Sequence, residues 1–354
     1  MFTIKQINNL KNKVILLRGD LDVPIKNGEV IDNFRLSKML PTIEYLSRKG
    51  AKMVIMGHLG RPSGRMDENL SMAPITGELR KLLHINKKEI GNWKLEIGGF
   101  LGFFIGDNIC LLENLRFCEE EEKNDLKFAE KLARLGDIFV NDAFSNSHRK
   151  HSSIVSIPKF MPSFAGLHFM EEVKALSKSM DNQKRPVVAI LGGAKLETKL
   201  PLIKKLAKKF DYVLVGGKLS LEIEKLFACA GSQIKKLSKN IILPIDYAGK
   251  EKLDIGKRTI KLYAEILKKA KMIVWNGPMG KYEDKRYIKG TFAIANAVAS
   301  SKAYAVVGGG DIIAALGEVR MLDKMDFVST GGGAMLEFLE KGTLAGIEAL
   351  ENQK

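Results

Sequence analysis

The chain has 354 residues, 45% of them hydrophobic, with 57 Lys and Arg against 41 Asp and Glu for a formal net charge of +16. That apolar content excludes a disordered chain and fills two cores of ordinary domain size. Three cysteines with no CxxC spacing exclude a disulfide scaffold, and the longest charge-free run, at 97–106, is about half of what crosses a bilayer.

The N-terminus MFTIKQINNL has no long apolar stretch, so no leader peptide is expected. The basic excess suits either nucleic acid or small polyanions. With only 2 Trp and 7 Tyr, aromatic stacking on bases is thinly supported. Much of the excess sits in lysine pairs at helical spacing, as in IKKLAKKFD, which read as solvated helix faces. The expected partner is therefore a small anion. No membrane and no obligatory nucleic acid are implied.

In the first half, four apolar runs each stop at a polar cluster that carries or closely precedes a cation: VILLRGDLDVP, MVIMGHLGRP, ICLLENLRF and DIFVNDAFSNSHR. Short β-branched runs bounded by turn residues predict buried strands of a parallel sheet. Ligands of such sheets sit at the carboxyl ends of the strands. Arg18, His58, Arg61, Arg116 and Arg149 are therefore candidates to line one crevice. Such a cluster is unfavourable unless a multiply charged anion binds there. The run at 97–106 is expected to be a turn with a buried strand or short helix. Arg18 is expected to face away from the crevice. His58 has a competing role as a core histidine, and His151 and His148 are expected to be structural. Glu113 and Asp142 are expected to pair with neighbouring cations, and Trp275 to pack in a core.

Between the halves, Phe169, Met170, Val173, Leu176 and Met180 recur at helical spacing, with Pro162 before and Pro186 after. This predicts a joining helix free to act as a hinge. In the second half the apolar runs end in glycine: VVAILGGAK, YVLVGGK, AYAVVGGGD and VSTGGGA, with MIVWNGPMG between them. Glycine at a strand end lets backbone amides approach a ligand, and a helix starting there adds its positive end. Strands alternating with helices give an α/β fold with parallel sheets. The chain lacks G-x-x-x-x-G-K-[ST], and no G-x-G-x-x-G opens a helix, which argues against a P-loop protein and a dinucleotide dehydrogenase. Arginines for a phosphorylated acid in one half, and glycine loops with lysines and Asp311 for a magnesium nucleotide in the other, suit phosphoryl transfer. That reaction needs alignment and charge neutralisation more than a nucleophile.

RGDLDVP, HLGRP, LLENLRF, NDAFSNSHRKHSS, AILGGAK, WNGPMG, GGGD and STGGGAMLEFLE occur in the order, and near the spacing, of one family. Over nearly its whole length the chain resembles phosphoglycerate kinase. The resemblance implies two Rossmann-like three-layer domains: a substrate domain over 1–166, a hinge helix over 167–183, a nucleotide domain over 184–335, and a segment 336–354 returning to the first domain. It implies reversible, Mg2+-dependent transfer from 1,3-bisphosphoglycerate to ADP, giving 3-phosphoglycerate and ATP by domain closure, in a cytoplasmic monomer of glycolysis. It places Asp20, Leu21, Asp22, Arg35, His58, Leu59, Gly60, Arg61, Arg116 and Arg149 at the substrate. Lys195, Lys199, Gly217, Lys218, Asn276, Pro278, Glu283, Gly309, Gly310, Asp311 and Ile312 fall at the nucleotide, with Asp311 supporting the metal. Arg35, Lys199, Gly332 and Gly333 fall at the transferring group.

Several positions depart from the family pattern. Asp22 stands for asparagine and adds a carboxylate beside an anion. Lys218 replaces a glycine of the adenine-side loop, Thr198 an aspartate, Ile312 a hydroxyl residue, and Ser145 with Asn146 a glycine–threonine pair. The segment between Pro244 and Leu253 is short. The expectation is an active kinase with altered nucleotide affinity or preference. The alternative is a weakened relative that serves as an anion- or nucleic-acid-binding protein.

Overall fold

The four apolar runs of the first half form the strands Val14–Arg18, Lys52–Met56, Ile109–Leu112 and Ile138–Asn141 in the computed structural model, which describes residues 1–85, 94–180, 184–194, 196–229 and 238–353. The chain divides into two units, Met1–Val173 with Thr343–Lys354, and Lys174–Gly342. The helix Leu167–Ser179 runs across this division. The C-terminal stretch is shared: Gly332–Lys341 is a helix of the second unit, closed by Gly342 at φ +82, and only the residues after it belong to the first.

In the first unit the four strands and Ser163–Ala165 are parallel, in the chain-order sequence 3-2-1-4-5. The run at 97–106 extends this sheet as an antiparallel hairpin through Phe100–Gly106. Arg18 pairs in register with both Met56 and Asn141, so three strands end at one level. Their loops, 19–22, 57–61 and 142–149, share one edge. The helix Phe34–Arg48 buries Leu36, Met39, Ile43 and Leu46 against the sheet. Burial of each side chain is worth roughly 1.5–3 kcal/mol, and this fixes the first helical turn, which carries Arg35.

In the second unit Val187–Leu191, Tyr212–Val215, Ile241–Ile242, Met272–Asn276, Tyr304–Gly308 and Phe327–Ser329 form an all-parallel sheet in the order 3-2-1-4-5-6. Strand order reverses between Val187–Leu191 and Met272–Asn276, where open α/β sheets bind ligands. Val188, Ile190, Ile273, Trp275 and Val307 form the core with Tyr263, Leu267 and Ile294. Trp275 is fully buried, and its indole N–H donates to the Gly277 carbonyl at 2.9 Å. Among the described residues no helix is long and apolar enough to cross a membrane.

Candidate functional site

The first-unit site begins where Val14–Arg18 ends. Asp20 is buried, and its carboxylate lies 3.6 Å from the Arg35 guanidinium and also takes a hydrogen bond from Ser145. Burial raises its pKa, opposed first by Arg35. Asp22 is more open. Its Oδ1 accepts the Gly60 N–H at 2.9 Å, and its Oδ2 lies 3.8 Å from Arg35 and 3.9 Å from His58 Nε2. Arg35 also donates to the Asp22 carbonyl at 2.7 Å. The carboxylate that departs from the family pattern thus faces an arginine.

Arg116 is buried. It donates to the Gly60 carbonyl at 2.6 Å and lies 3.2 Å from the Glu122 carboxylate. Burial lowers its pKa to about 10, which leaves it charged at neutral pH. His58 is buried among Arg18, Arg116, Arg149 and His151; burial, then these neighbours, hold it well below the usual histidine range. Burial and the same arginines take His151 down to about 3.

The expectation that only a bound anion offsets these cations is corrected. Asp20 and Asp22 face Arg35, Glu122 faces Arg116, and fully buried Glu121 is the largest favourable charge on Arg18. Arg61 and Arg149 form no ion pair among the described residues, and Arg61 is exposed. Both guanidiniums are therefore placed to meet an incoming anion.

Four further corrections concern side chains. Leu21 and Leu59 are buried in the core, so neither side chain reaches a ligand. The Leu59 amide and carbonyl are both bonded to the Asn114 side chain, at 3.3 and 2.7 Å. The backbone groups of Gly60 are likewise bonded, to Asp22 and Arg116, and Arg61 is the exposed side chain of this loop. Glu113 and Asp142 do not pair with cations. Glu113 accepts from Ser71, Met72 and Asn114, and Asp142 accepts the Phe169 N–H at 3.0 Å at the start of the helix Leu167–Ser179. Burial pushes the Asp142 carboxyl up to about 7.

In the second unit a cavity of ≈ 250 Å³ opens at the switch point, lined by Gly193, Gly217, Lys218, Pro278, Glu283 and Asp311 among others. Close strand ends shape it. A Cβ on Gly192 would lie 1.9 Å from the Pro278 carbonyl, and one on Gly332 would lie 2.6 Å from Gly309 Cα, so only glycine fits there. Lys199, from the helix Leu196–Lys209, donates to the Gly192 carbonyl at 2.5 Å. Gly309 (φ +119) precedes the helix Gly310–Glu318, whose first turn carries exposed Asp311. Gly332 and Gly333 open the helix Gly332–Lys341. Lys218 is exposed at the cavity, its ammonium 3.7 Å from Glu222.

Not every expected nucleotide residue is available. Ile312 is fully buried in the core, so its side chain cannot line the cavity; the loss of a hydroxyl there is a change of core packing. The Asn276 amide nitrogen donates to the Gly308 carbonyl at 2.5 Å, tying two strands together. Lys195 lies outside the described residues. Sequence reasoning missed Lys252, Leu253, Lys281 and Tyr282, which also line the cavity. Lys281 and Tyr282 follow WNGPMG directly, a signal that was available. The short 244–253 segment supplies Tyr247–Ala248, which pairs with the following Asp254–Ile255, and the turn between them carries Lys252 and Leu253 to the cavity.

A family model described as phosphoglycerate kinase matches residues 4–240 and 227–342. The phosphoglycerate kinase of Finegoldia magna is 38% identical over 392 residues, covering 99% of each chain. That of Borrelia garinii subsp. bavariensis is 38% identical over 389 residues, again covering 99% of each. The solved phosphoglycerate kinase of Coxiella burnetii superposes with a TM-score of 0.81 at 33% identity, over 100% of both chains. That of Pyrococcus horikoshii OT3 gives 0.84 at 31% identity, over 99% of this chain and 98% of the other.

Proposed function

The chain belongs to the phosphoglycerate kinase family, and on that premise we propose that it catalyses transfer of a phosphoryl group between 1,3-bisphosphoglycerate and ADP. The acyl-phosphate P–O bond breaks, a bond forms to a β-phosphate oxygen of ADP, and 3-phosphoglycerate leaves with its carboxylate. The observation that carries this reading is the pairing of an arginine-rich strand edge in one unit with a glycine-shaped switch-point cavity in the other.

Arg61 and Arg149 attract the acid, His58 contacts it, and Arg35 stabilises charge on the moving group. Arg35 stands in the first turn of a packed helix, so its placement costs little reorganisation. Lys199 and the amides of Gly332 and Gly333 neutralise the phosphoryl oxygens from the nucleotide side. Glu283 and Lys218 contact the nucleotide from the cavity wall. Transfer further requires a closing motion that brings the two bound ligands into line.

Asp311 fits a magnesium ion: it is an exposed hard-oxygen ligand on the cavity, and no cluster of three metal-ligating side chains exists among the described residues. Such an ion takes its other ligands from phosphates and water, and when bound it neutralises phosphate charge. We assign the enzyme to the cytoplasm as a monomer.

Backbone amide shifts in solution test the assignment of ligands. 3-Phosphoglycerate is expected to perturb Asp20, Arg35 and Arg149, and ADP to perturb Gly193, Gly217 and Asp311. Perturbation of the same unit by both ligands overturns it.

A further inference from the structure

The arginine that ends the first strand is fully buried, and it touches the histidine assigned above to the substrate. Arg18 is fully buried, and its Nη2 lies 3.0 Å from His58 Nδ1. A guanidinium has donors and no acceptor. His58 Nδ1 must therefore accept, which leaves the imidazole proton on Nε2. Arg18 is itself held from behind. Its Nε donates to Ser153 Oγ at 2.9 Å, and that hydroxyl donates to Glu121 at 2.5 Å. Glu121 also accepts the Ser153 N–H at 2.9 Å and is fully buried. Each member thus has one orientation: Glu121 fixes the serine rotor, the serine fixes the guanidinium, and the guanidinium fixes the ring.

We propose that Glu121 and Ser153 are positioning residues that act through Arg18 to present His58 as a neutral Nε2–H donor to the anionic substrate. The proposal rests on the substrate reading of this site given above. The charged and titratable groups around the ring are Arg18 from the neighbouring strand Val14–Arg18, Arg116, and Arg149 and His151 from the loop after Ile138–Asn141, with Asp22 near Nε2. Four cationic or basic groups against one half-exposed carboxylate disfavour a second proton on the ring. A neutral N–H donor orients a carboxylate or phosphate oxygen by direction, while the arginines supply the charge. Buried Glu121 offsets the Arg18 charge without contacting substrate.

The test is a long-range proton–nitrogen correlation spectrum of the full chain with nitrogen-labelled histidine. There are 5 histidines, and the spectrum of His58→Asn identifies the relevant ring. At pH 7 the wild type is expected to show Nδ1 unprotonated and Nε2 protonated. A ring with the proton on Nδ1, or on both nitrogens, overturns the proposal whatever the kinetics. In Ser153→Ala, and in Glu121→Gln as a second variant, the ring is expected to show mixed tautomers. The KM for 3-phosphoglycerate should rise about tenfold, the size of one charge-assisted hydrogen bond, with the ATP KM within about twofold. Unchanged tautomer populations in both folded variants overturn the role of Glu121 and Ser153. Tautomers that shift while the 3-phosphoglycerate KM holds support the relay and overturn the substrate assignment beneath it.

Discussion

Replacing Asp22 by asparagine isolates one charge in the first-unit site. Its Oδ1 accepts the Gly60 N–H at 2.9 Å, and an asparagine oxygen keeps that bond. Its Oδ2 lies 3.8 Å from Arg35 and 3.9 Å from His58, both beyond hydrogen-bond range. The substitution therefore removes a charge and no bond. Two unit charges about 4 Å apart interact by roughly 1 kcal/mol in water and roughly 4 kcal/mol near a protein surface. The Asp22 side chain is 40% exposed and faces Arg35, so the lower figure applies. Asp22→Asn is expected to tighten 3-phosphoglycerate by about 1 kcal/mol, roughly fivefold in KM, with kcat and the ATP KM unchanged. Steady-state titrations at low ionic strength measure this. At about 1 M salt the screening length falls to about 3 Å, and the gain should fade. A KM that rises, or a gain that survives high salt, refutes the electrostatic reasoning and points to the Gly60 loop geometry.

Arg35→Ala is expected to lower kcat by about 10²–10³, the usual loss for one donor to transition-state charge; a loss under about tenfold removes it from that role. Lys218→Gly is expected to raise the ADP KM about 1.5- to 5-fold, as for an exposed charge already facing Glu222, and to leave the 3-phosphoglycerate KM alone. Equal changes in both would place Lys218 outside nucleotide binding. Asp142 gives a pH signature. Its folded pKa of about 7 lies above the unfolded value, so the folded chain holds an extra proton between about pH 4 and 7. The resulting stability is complete below that window and is lost as pH rises through it. Relative to Asp142→Asn, the wild type is expected to lose up to about 1.4 kcal/mol per pH unit there, read by denaturant unfolding. Parallel profiles would place Asp142 in a more solvated setting.

The strands and their ligand-bearing ends were legible in the sequence because buried parallel strands are continuous apolar runs, and their ends carry the polar residues that meet ligands. Gly217 and Asp311 line the cavity for that reason. The strand order that sets the switch point was not legible. What the sequence hid were Glu121 and Glu122, the carboxylates that face Arg18 and Arg116. Glu121 sits in EEEEK, where four acids look alike and only the fold shows which one is buried. Leu21, Leu59 and Ile312 went the other way. Each stands inside a ligand motif, but alternation along the loop or helix turns its side chain into the core. Asn114 was overlooked because its work is to hold the backbone of the His58 loop, a role with no one-dimensional pattern. Lys252 and Lys281 reach the cavity through a hairpin and a turn whose packing no periodicity encodes.

The central claim is that this chain moves a phosphoryl group between a three-carbon acid and a nucleoside diphosphate. Incubating the purified protein with 1,3-bisphosphoglycerate, magnesium and ADP, and following ATP by a coupled readout, measures that directly. Sustained ATP formation, abolished by removing either substrate and strongly reduced in Arg35→Ala, is the predicted result. No ATP above the protein-free rate, from a folded chain that binds both ligands, contradicts it.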